Sequence, residues 1–591
     1  MEPERLRHAG EKKALFLVVI ILFLFLAVFF TRPILFQGDH ATYKDPYDPT
    51  LQAWTLAWDI HALGNNPLNL FNANIYFPNN GTLAYSDHQI TNGVLAIPAM
   101  AVTRDPVYTQ NLLLIFNFFL CALGAYFLTT HLTKSRTAGV FAGVIFAFAP
   151  PRLAHMGHLN LISAGWMPLA LLFLHKYSED GKPRDVALFA LFFVLQTLTA
   201  WYYGFILAVG VIVFLLVRLI MKRREFTLRW VGYFLAAVFI AALIITPFAV
   251  PYLKLNKSDP RFKRTIGEVD LFSVDVKDFA IAPAENLFWG RLSAGLREGI
   301  EKRAGPTERA MFPGLIPLVL GIGGAVYLFR RGRGEERFYV RYYVAVTGLS
   351  AVLCLGSSLY LFGHRFNLPM PYELFYYLFP GFKAMRVPGR FSILVLLSLA
   401  VLSGFAVKAV MKWVADKRGV SLSATLGVVL FVLLLLDMMS ASLPMYRVPL
   451  KDEFPPVYSW LKEQEGQAPT VELPLADYNT HTFKAGLQYE PTWIEREAMR
   501  TYYSTLHWKK TFNGFSGYIP TSYYQGVKAT RGFPSKEAME FFRGQGVRYL
   551  VVHGAQFDSN TLDRILEWDK SHGDIELVRR FGSDYVFRLK T

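Results

Sequence analysis

Long runs of apolar residues, separated by short polar or charged segments, fill the first three quarters of the chain. A bilayer core about 30 Å thick is crossed by roughly 20 helical residues, so each run of that kind predicts a membrane-spanning helix. There are eleven runs, at residues 14–36, 107–130, 137–151, 158–174, 186–200, 203–221, 230–251, 311–329, 342–362, 391–411 and 420–440. The pattern therefore predicts an α-helical multi-pass membrane protein with about 11 spans.

After residue 441 the apolar runs give way to shorter patterns that are typical of a small α/β domain. Helical periodicity appears at 455–464, 535–544 and 560–569, and strand-like runs appear at 469–473, 547–552 and 584–589. We divide the chain into a transmembrane domain at 1–440, with outer loops at 37–106, 252–310 and 363–389, and a C-terminal α/β domain at 441–591.

Lysine and arginine are concentrated in alternate loops between the predicted spans. They are frequent in 1–13, 131–137, 175–185, 218–229, 330–341 and 408–418, whereas the short turns 152–157 and 201–202 hold only Arg152. Because cytoplasmic loops carry the excess of positive charge, the N-terminus is expected inside and the C-terminal domain outside. The net charge of +16 is thus explained by membrane topology and does not indicate nucleic-acid binding.

The composition agrees with a membrane protein. Of the 591 residues, 53% are hydrophobic and 18% charged, whereas soluble proteins carry about 25% charge. An aromatic content of 15% excludes a disordered chain. The two cysteines, Cys121 and Cys354, fall inside predicted spans and form no zinc motif. The sequence has no glycine-rich phosphate loop, which argues against an ATP-driven pump, and the first apolar run lacks a cleavage site, so we expect it to be retained.

The first outer loop combines a predicted helix with several acidic residues. Asp48 and Pro49 precede an apolar stripe that ends near Leu63, which predicts a helix lying at the membrane interface with Trp54 and Trp58 among the headgroups.

Three carboxylates, Asp39, Asp45 and Asp48, follow the first span. One of them could act as a general base on an acceptor hydroxyl, or the group could hold a divalent metal such as Mg or Mn. The alternative is that Asp48 caps the helix and the other two are solvated turn residues.

Two further groups lie in predicted outer segments. Asp87 and His88 could supply a second acid or a ligand, or they could be a polar pair at a helix start. Arg152, His155 and His158 follow Pro150-Pro151 and could hold a phosphate or pyrophosphate, with snorkelling to the interface as the alternative.

Positive charge also occurs on the outer side at 381–390, where the topology does not require it. Arg386 and Arg390 are candidates for an anionic lipid headgroup, or for ion pairs with the acidic first loop. In the C-terminal region the candidate sugar contacts are His507, Trp508, Asn513 and Tyr518, and packing in a core is the alternative for each.

Taken together, these features resemble the GT-C class of integral membrane glycosyltransferases. The segments that carry the resemblance are DPTLQAWTLAWDIHAL (48–63), APPRLAHMGHLNLISAGWMPLAL (149–171), MRVPGRF (385–391) and STLHWKKTFNGFSGY (504–518). They are similar to a group of bacterial multi-pass proteins usually assigned to that class. The resemblance implies polyprenyl-phosphate or pyrophosphate sugar donors and an essential aspartate in the first outer loop, for which Asp48 is the best match and Asp39 the second. The Asp-Glu pair of the class is absent, because Pro49 follows Asp48.

The expected function is transfer of a sugar, inverting or related, from a polyprenyl-linked donor to a glycan, lipid or protein acceptor. The reaction would occur at the outer face of a bacterial inner membrane. Two alternatives remain open: a transporter or flippase for lipid-linked sugars, which should show repeated or broken helices, and a noncatalytic sugar-binding assembly protein. No nicotinamide, flavin or haem motif is present.

Overall fold

The computed structural model describes residues 2–36, 40–298, 305, 307–379, 381–441, 443–476 and 491–590, with the side chains of 2–12, 36, 491 and 492 excepted. The chain forms two compact units. The first unit consists of residues 1–37, 112–247 and 264–444, and the second of residues 38–111, 248–263 and 445–591. The second unit thus joins most of the first outer loop to the C-terminal region. The predicted division at residue 440 stays a prediction.

Long helices make up most of the first unit. Within the described residues, seven segments are long and apolar enough to cross a bilayer: Lys13–Phe30, Pro106–Thr133, Arg136–Ala154, Trp201–Glu225, Leu228–Ser258, Pro388–Arg418 and Val420–Met438. Helices also occur near the other four predicted runs, at Trp166–Asp180, Pro183–Thr199, Leu315–Arg331 and Glu335–Cys354. The membrane-protein class is therefore confirmed, while the number of eleven spans stays a prediction.

Shorter elements connect these helices. They are the helices Pro33–Phe36, Pro150–Ala154, Leu159–Ile162, Ile266–Leu271, Trp289–Leu292, Ala294–Arg297 and Pro371–Leu378, the 3-10 turns Thr307–Arg309 and Pro388–Phe391, and the paired strands Leu359–Leu361 and His364–Phe366. Four of the apolar segments contain the long helices Glu2–Phe30, Arg136–Phe148, Trp201–Lys222 and Ser392–Arg418. The predicted run 158–174 is broken into two helices, because Ser163, Ala164 and Gly165 interrupt it.

Small residues allow two helices of the first unit to pack closely. A Cβ atom at Gly324 would lie 1.9 Å from the carbonyl oxygen of Leu402, and one at Gly321 would lie 2.7 Å from Leu399. The backbone of the Leu315–Arg331 helix therefore packs directly against that of the Ser392–Arg418 helix, as is common in membrane helix pairs.

The second unit is a mixed structure. A four-stranded sheet has the spatial order Thr470–Leu473, Tyr549–His553, Asp584–Leu589, Ile575–Phe581; its first pair is parallel and the others are antiparallel. The helices are Asp48–Asn65, Ile90–Thr103, Pro456–Glu463, Pro491–Tyr503, Thr521–Ala529, Lys536–Gly544 and Ser559–His572, and Ala41–Tyr43 pairs with Met445–Arg447. All three strands and three helices expected after residue 441 are present, and Ile575–Phe581 is an additional strand.

The helix expected in the first outer loop is present as Asp48–Asn65, but its surroundings correct two expectations. Trp54 and Trp58 are 2% and 7% exposed, and their indole groups donate to Asn74 Oδ1 and to the Leu70 carbonyl. The tryptophans therefore lie inside the protein and not among lipid headgroups, because packing satisfies the N–H groups that would otherwise need a wet interface. The helix begins at Asp48, and Tyr47 holds the cap position without a side-chain capping bond.

Two histidines of the second unit each lie between two acceptor groups. His40 Nε2 is 2.8 Å from Asp105 Oδ1, and its Nδ1 is 2.6 Å from the Val448 carbonyl oxygen. His553 lies 3.0 Å from both Asp584 Oδ1 and Glu472 Oε2. Burial alone would lower each histidine pKa, but the hydrogen bonds to these acceptors raise both above the ordinary value of 6.5.

A group with a raised pKa stabilises the fold fully below its unfolded value and loses that contribution as the pH rises through its folded value. We therefore expect the apparent Tm of the purified protein to fall as the pH rises above about 6.5. The double variant His40→Gln, His553→Gln should lose most of this dependence and melt about 2 °C lower on the acidic side. The measurement is thermal unfolding in detergent across pH. The exposed His572→Gln is the control, and a wild-type Tm that is flat across this range contradicts the assignment.

Candidate functional site

A cleft in the first unit brings together three of the positively charged or imidazole side chains singled out from the sequence. The cleft is small, with a volume of about 30 Å³, and is lined by Arg152, His155 and Arg390, together with Glu308 and Tyr203. The three candidates come from two segments more than 200 residues apart in the chain. Their convergence was not visible in the sequence.

Glu308 is the centre of the cleft. Its carboxylate accepts two bonds from Arg390, at 2.7 and 3.2 Å, and faces His155 Nε2 at 3.0 Å. The Glu308 side chain is 12% exposed. Burial would raise its pKa, but the charges of Arg390 and His155 outweigh burial and hold the pKa well below the ordinary value. Glu308 is therefore ionised and shares one site with two positively charged or proton-donating side chains.

A second buried ion pair holds the segment that carries Glu308. The neighbouring Arg309 donates from Nε and Nη2 to the two oxygens of Asp278, at 2.7 and 3.1 Å. Both side chains are almost completely buried, and Asp278 also accepts from the backbone of Asp275 at 2.8 Å. Because a bidentate pair restrains both distance and orientation, it fixes the Thr307–Arg309 turn against the rest of the unit.

Arg152 lines the cleft and also holds one of its turns in place. Its guanidinium is 4% exposed and donates to the carbonyl oxygens of Leu161 and Ile162, each at 2.6 Å. These bonds close the turn between Pro150–Ala154 and Leu159–Ile162, which carries His155 and His158. The two imidazole rings lie 5.9 Å apart. Arg152 thus acts on the backbone of the turn as well as lining the cleft.

Arg390 enters from the turn before the Ser392–Arg418 helix. Its guanidinium carbon lies 4.3 Å above the Tyr202 ring, and Tyr203 donates to the Leu161 carbonyl at 2.7 Å. Arg386, the other candidate in this segment, is half-buried with its guanidinium carbon 5.3 Å from the Phe272 ring centroid. Stacking of this kind restrains a guanidinium while its edge N–H groups still bind acceptors.

Three acidic candidates come from the first outer loop. Asp39 lies outside the described residues. Asp45 and Asp48 are half-buried in the second unit, where Asp45 accepts from the backbone N–H of Tyr47 at 3.0 Å. Asp48 lies in the first helical turn, where a carboxylate interacts favourably with the positive end of the helix.

Asp87 and His88 also lie in the second unit. Asp87 is half-buried, whereas His88 is 1% exposed and packs against Phe71, Phe248 and Tyr252. Burial lowers the pKa of His88 to about 3, so the ring is neutral. Its environment is that of a packed core histidine.

The four candidates of the C-terminal region have different surroundings. His507 is buried against Tyr458. Asn513 donates to the Glu472 carbonyl and to Glu497 Oε1, and accepts from the Glu472 backbone. Tyr518 packs against Phe262 with ring centroids 4.9 Å apart. Trp508 is half-buried and lines a second cavity.

Sequence reasoning missed two carboxylates whose chemistry is unusual. Glu308 lies in a segment crowded with charge, so nothing local distinguishes it. Asp59 is completely buried on the Asp48–Asn65 helix, packed against Gly93, and neither of its oxygens has a hydrogen-bond partner in the described part of the chain. Burial raises the pKa of Asp59 well above its ordinary value, so it is held as a neutral acid.

Among the residues that the structure describes, no group of three His, Cys, Asp or Glu side chains lies close enough together to hold an ion. The metal site expected at Asp39, Asp45 and Asp48 stays a prediction, because Asp39 lies outside those residues.

Comparison with known proteins identifies a family and a fold. A family model described as "Domain of unknown function (DUF6311)" matches residues 17–440. No curated protein matches the chain.

Among solved structures, the chain is similar to the arabinofuranosyltransferase AftD from Mycobacteria, with 15% identity and a TM-score of 0.56 over 97% of this chain and 40% of AftD. It also matches the oligosaccharyltransferase AglB from Archaeoglobus fulgidus, with 13% identity and a TM-score of 0.49 over 92% of this chain and 70% of AglB. The AftD match confirms the expected GT-C fold. The chain spans only about two fifths of the length of AftD.

Removal of the Glu308 charge should destabilise the first unit, because it leaves two cleft groups without their anionic partner. We expect Glu308→Ala to lower the free energy of unfolding by about 3 kcal/mol, as for other broken buried pairs. The measurement is thermal or denaturant unfolding in detergent. Glu298→Ala, which removes an exposed carboxylate from the same loop, should be neutral, and equal stabilities of the two variants would show that the Glu308 pairs are not structural.

Proposed function

The chain belongs to the DUF6311 family, and on that premise we propose that it is a membrane glycosyltransferase that moves a sugar from a polyprenyl-phosphate or pyrophosphate donor to an acceptor hydroxyl. The fold it shares with AftD, a transferase by its name, supports the general reaction class. The donor lipid, the outer-face location and the acceptor, a glycan, lipid or protein, are parts of this proposal.

The observation that carries the proposal is the cleft around Glu308. Arg152 lies near the end of the apolar segment Arg136–Ala154, and Arg390 lies at the start of Pro388–Arg418. Charged donors at the ends of spans are placed at headgroup level. A phosphate there would be bound by guanidinium and imidazole N–H groups, while its polyprenyl chain could lie along the apolar helices. The cleft therefore has the chemistry for a lipid-linked phosphate.

The proposed reaction forms a bond between the acceptor oxygen and the anomeric carbon and breaks the bond between that carbon and the phosphate oxygen. The acceptor proton passes to a carboxylate, and the departing polyprenyl phosphate carries the negative charge. Arg390 and His155 would stabilise that charge as it develops. The base is a separate proposal that rests on the sequence alone: Asp48, on its match to the loop aspartate of the GT-C class, with Asp39 second.

We place the protein in a bacterial inner membrane with the N-terminus in the cytoplasm. Sugar nucleotides are not available at the outer face, so a lipid-linked donor is the source that fits this location. The concentration of Lys and Arg in alternate loops supports the orientation.

The test is sugar transfer by the purified full-length protein in lipid nanodiscs, with radiolabelled polyprenyl-phosphate sugars and membrane-extract acceptors. Asp48→Asn should lower the transfer rate at least about 100-fold, the usual contribution of a general base. Arg390→Gln should weaken binding of polyprenyl phosphate at least about tenfold. Arg390→Lys separates loss of charge from loss of the bidentate geometry.

Two exposed residues provide matched controls: Asp563→Asn in the second unit and Arg365→Gln in the first should leave transfer unchanged. Transfer unaffected by Asp48→Asn removes Asp48 from the reaction. Binding of polyprenyl phosphate without transfer of any sugar contradicts an enzyme and favours a flippase.

A further inference from the structure

A second cavity lies within the second unit. It has a volume of about 210 Å³, opens to the surface and is lined by the rings of Trp58, His61 and Trp508 together with Asn65, Asn69 and Lys510. Its residues come from the end of the Asp48–Asn65 helix, the segment after it, and the turn at Trp508. This volume is large enough for one or two sugar rings.

Three aromatic rings form one wall. The rings of His61 and Trp508 are stacked, with centroids 4.5 Å apart and planes inclined by 18°. Trp58 meets Trp508 edge-on, with centroids 5.7 Å apart. Trp58 is fixed by its indole bond to the Leu70 carbonyl. The wall is therefore a rigid aromatic surface, and the C–H groups of a sugar ring pack on such a surface.

The backbone at Trp508 is strained. Its φ angle is +55°, in the left-handed region that bulky side chains rarely adopt. The turn is held by the Trp508 N–H, which donates to the Ser504 carbonyl at 2.9 Å, and by the Lys509 N–H, which donates to His507 Nδ1 at 2.9 Å. Strain of this kind is concentrated at ligand sites, where it fixes a side chain in the position that binding requires.

The remaining residues that line the cavity are mainly amides. Asn65, Asn69 and Asn72 lie within one short segment, and Gln467 joins them from another part of the unit. Asn65 donates to the His61 carbonyl at 2.7 Å, Asn72 donates to Asn69, and Asn72 Oδ1 accepts from Gly81 at 2.8 Å. These bonds orient the amides, and each amide has further donor and acceptor positions that suit hydroxyl groups, which both donate and accept.

The lining of the cavity carries little charge, which favours an uncharged ligand. Lys510 is the only charged side chain in its lining as described, and its ammonium group donates to the carbonyl oxygens of Asn72 and Ala73 at 2.9 and 3.0 Å. Burial lowers the pKa of Lys510. The Lys510 ammonium group thus donates two of its three N–H groups to backbone carbonyl oxygens, and the third can donate to an oxygen of a ligand.

We propose that this cavity binds a neutral oligosaccharide, with sugar rings packed on His61 and Trp508 and hydroxyl groups bonded to the amides of Asn65, Asn69 and Asn72. The site needs no catalytic group and lies in a different unit from the Glu308 cleft. The proposal therefore does not depend on the proposed transfer reaction: glycan binding can be present in a protein that transfers no sugar, and absent in one that does.

The test is binding by the full-length protein in nanodiscs to an array of neutral oligosaccharides built from arabinose, mannose, galactose or glucose. Affinities for the bound members are then measured by tryptophan fluorescence. Trp508→Ala should weaken binding at least about tenfold, as expected for a buried aromatic anchor. The exposed Asn69→Ala should weaken it severalfold and provides a test if Trp508→Ala fails to fold.

The second unit contains a matched control. Trp568 stacks on His572 with centroids 3.7 Å apart, and neither residue lines the cavity. Trp568→Ala should leave glycan binding unchanged. The proposal is overturned if no neutral oligosaccharide binds, or if Trp508→Ala and Asn69→Ala both bind as tightly as the wild type.

Discussion

Hydrocarbon provides no hydrogen-bond partners for a polypeptide, and this constraint determines where helices and charged side chains of the protein can lie. Backbone groups in a bilayer must be satisfied within the segment itself, so the apolar runs form helices. Charged groups are costly between the ends of a span. Chemistry is therefore confined to span ends and connecting segments, and the candidate side chains Arg152 and Arg390 lie at the ends of two apolar segments.

Within the first unit, the cleft depends on a short series of ion pairs. Asp278 holds Arg309, the adjacent Glu308 holds Arg390 and His155, and Arg152 closes the turn that carries His155. Each buried carboxylate needs its partner, because an unpaired charge in this environment loses its hydration without compensation. The same arrangement keeps Arg390 and His155 close together without repulsion, because the Glu308 carboxylate lies between them.

The second unit uses buried polar groups in a different manner. Asn513 connects the Glu472 backbone to the Glu497 carboxylate, and His553 lies between Asp584 and Glu472. Asp59, by contrast, is buried as a neutral acid against Gly93. Amides and aromatic rings, with the single cation Lys510, line the described part of the cavity near Trp508. The two units thus differ chemically: buried ion pairs line the cleft of the first unit, and amides and aromatic rings line the cavity of the second.

The sequence by itself determined the membrane class, the helices and strands after residue 441 and the helix after Asp48, because periodicity, span length and charge asymmetry are local properties. The resemblance to the GT-C class rests on the segments 48–63, 149–171, 385–391 and 504–518. The sequence also identified Arg152 and His155 as candidate phosphate contacts and Arg390 as an outer cation that the topology does not require. It could not identify Glu308, which resembles its charged neighbours, nor predict that Trp54 and Trp58 are buried in protein. Only the tertiary structure decided which of these groups meet, because ion pairing, burial and pKa depend on residues that are distant in the chain.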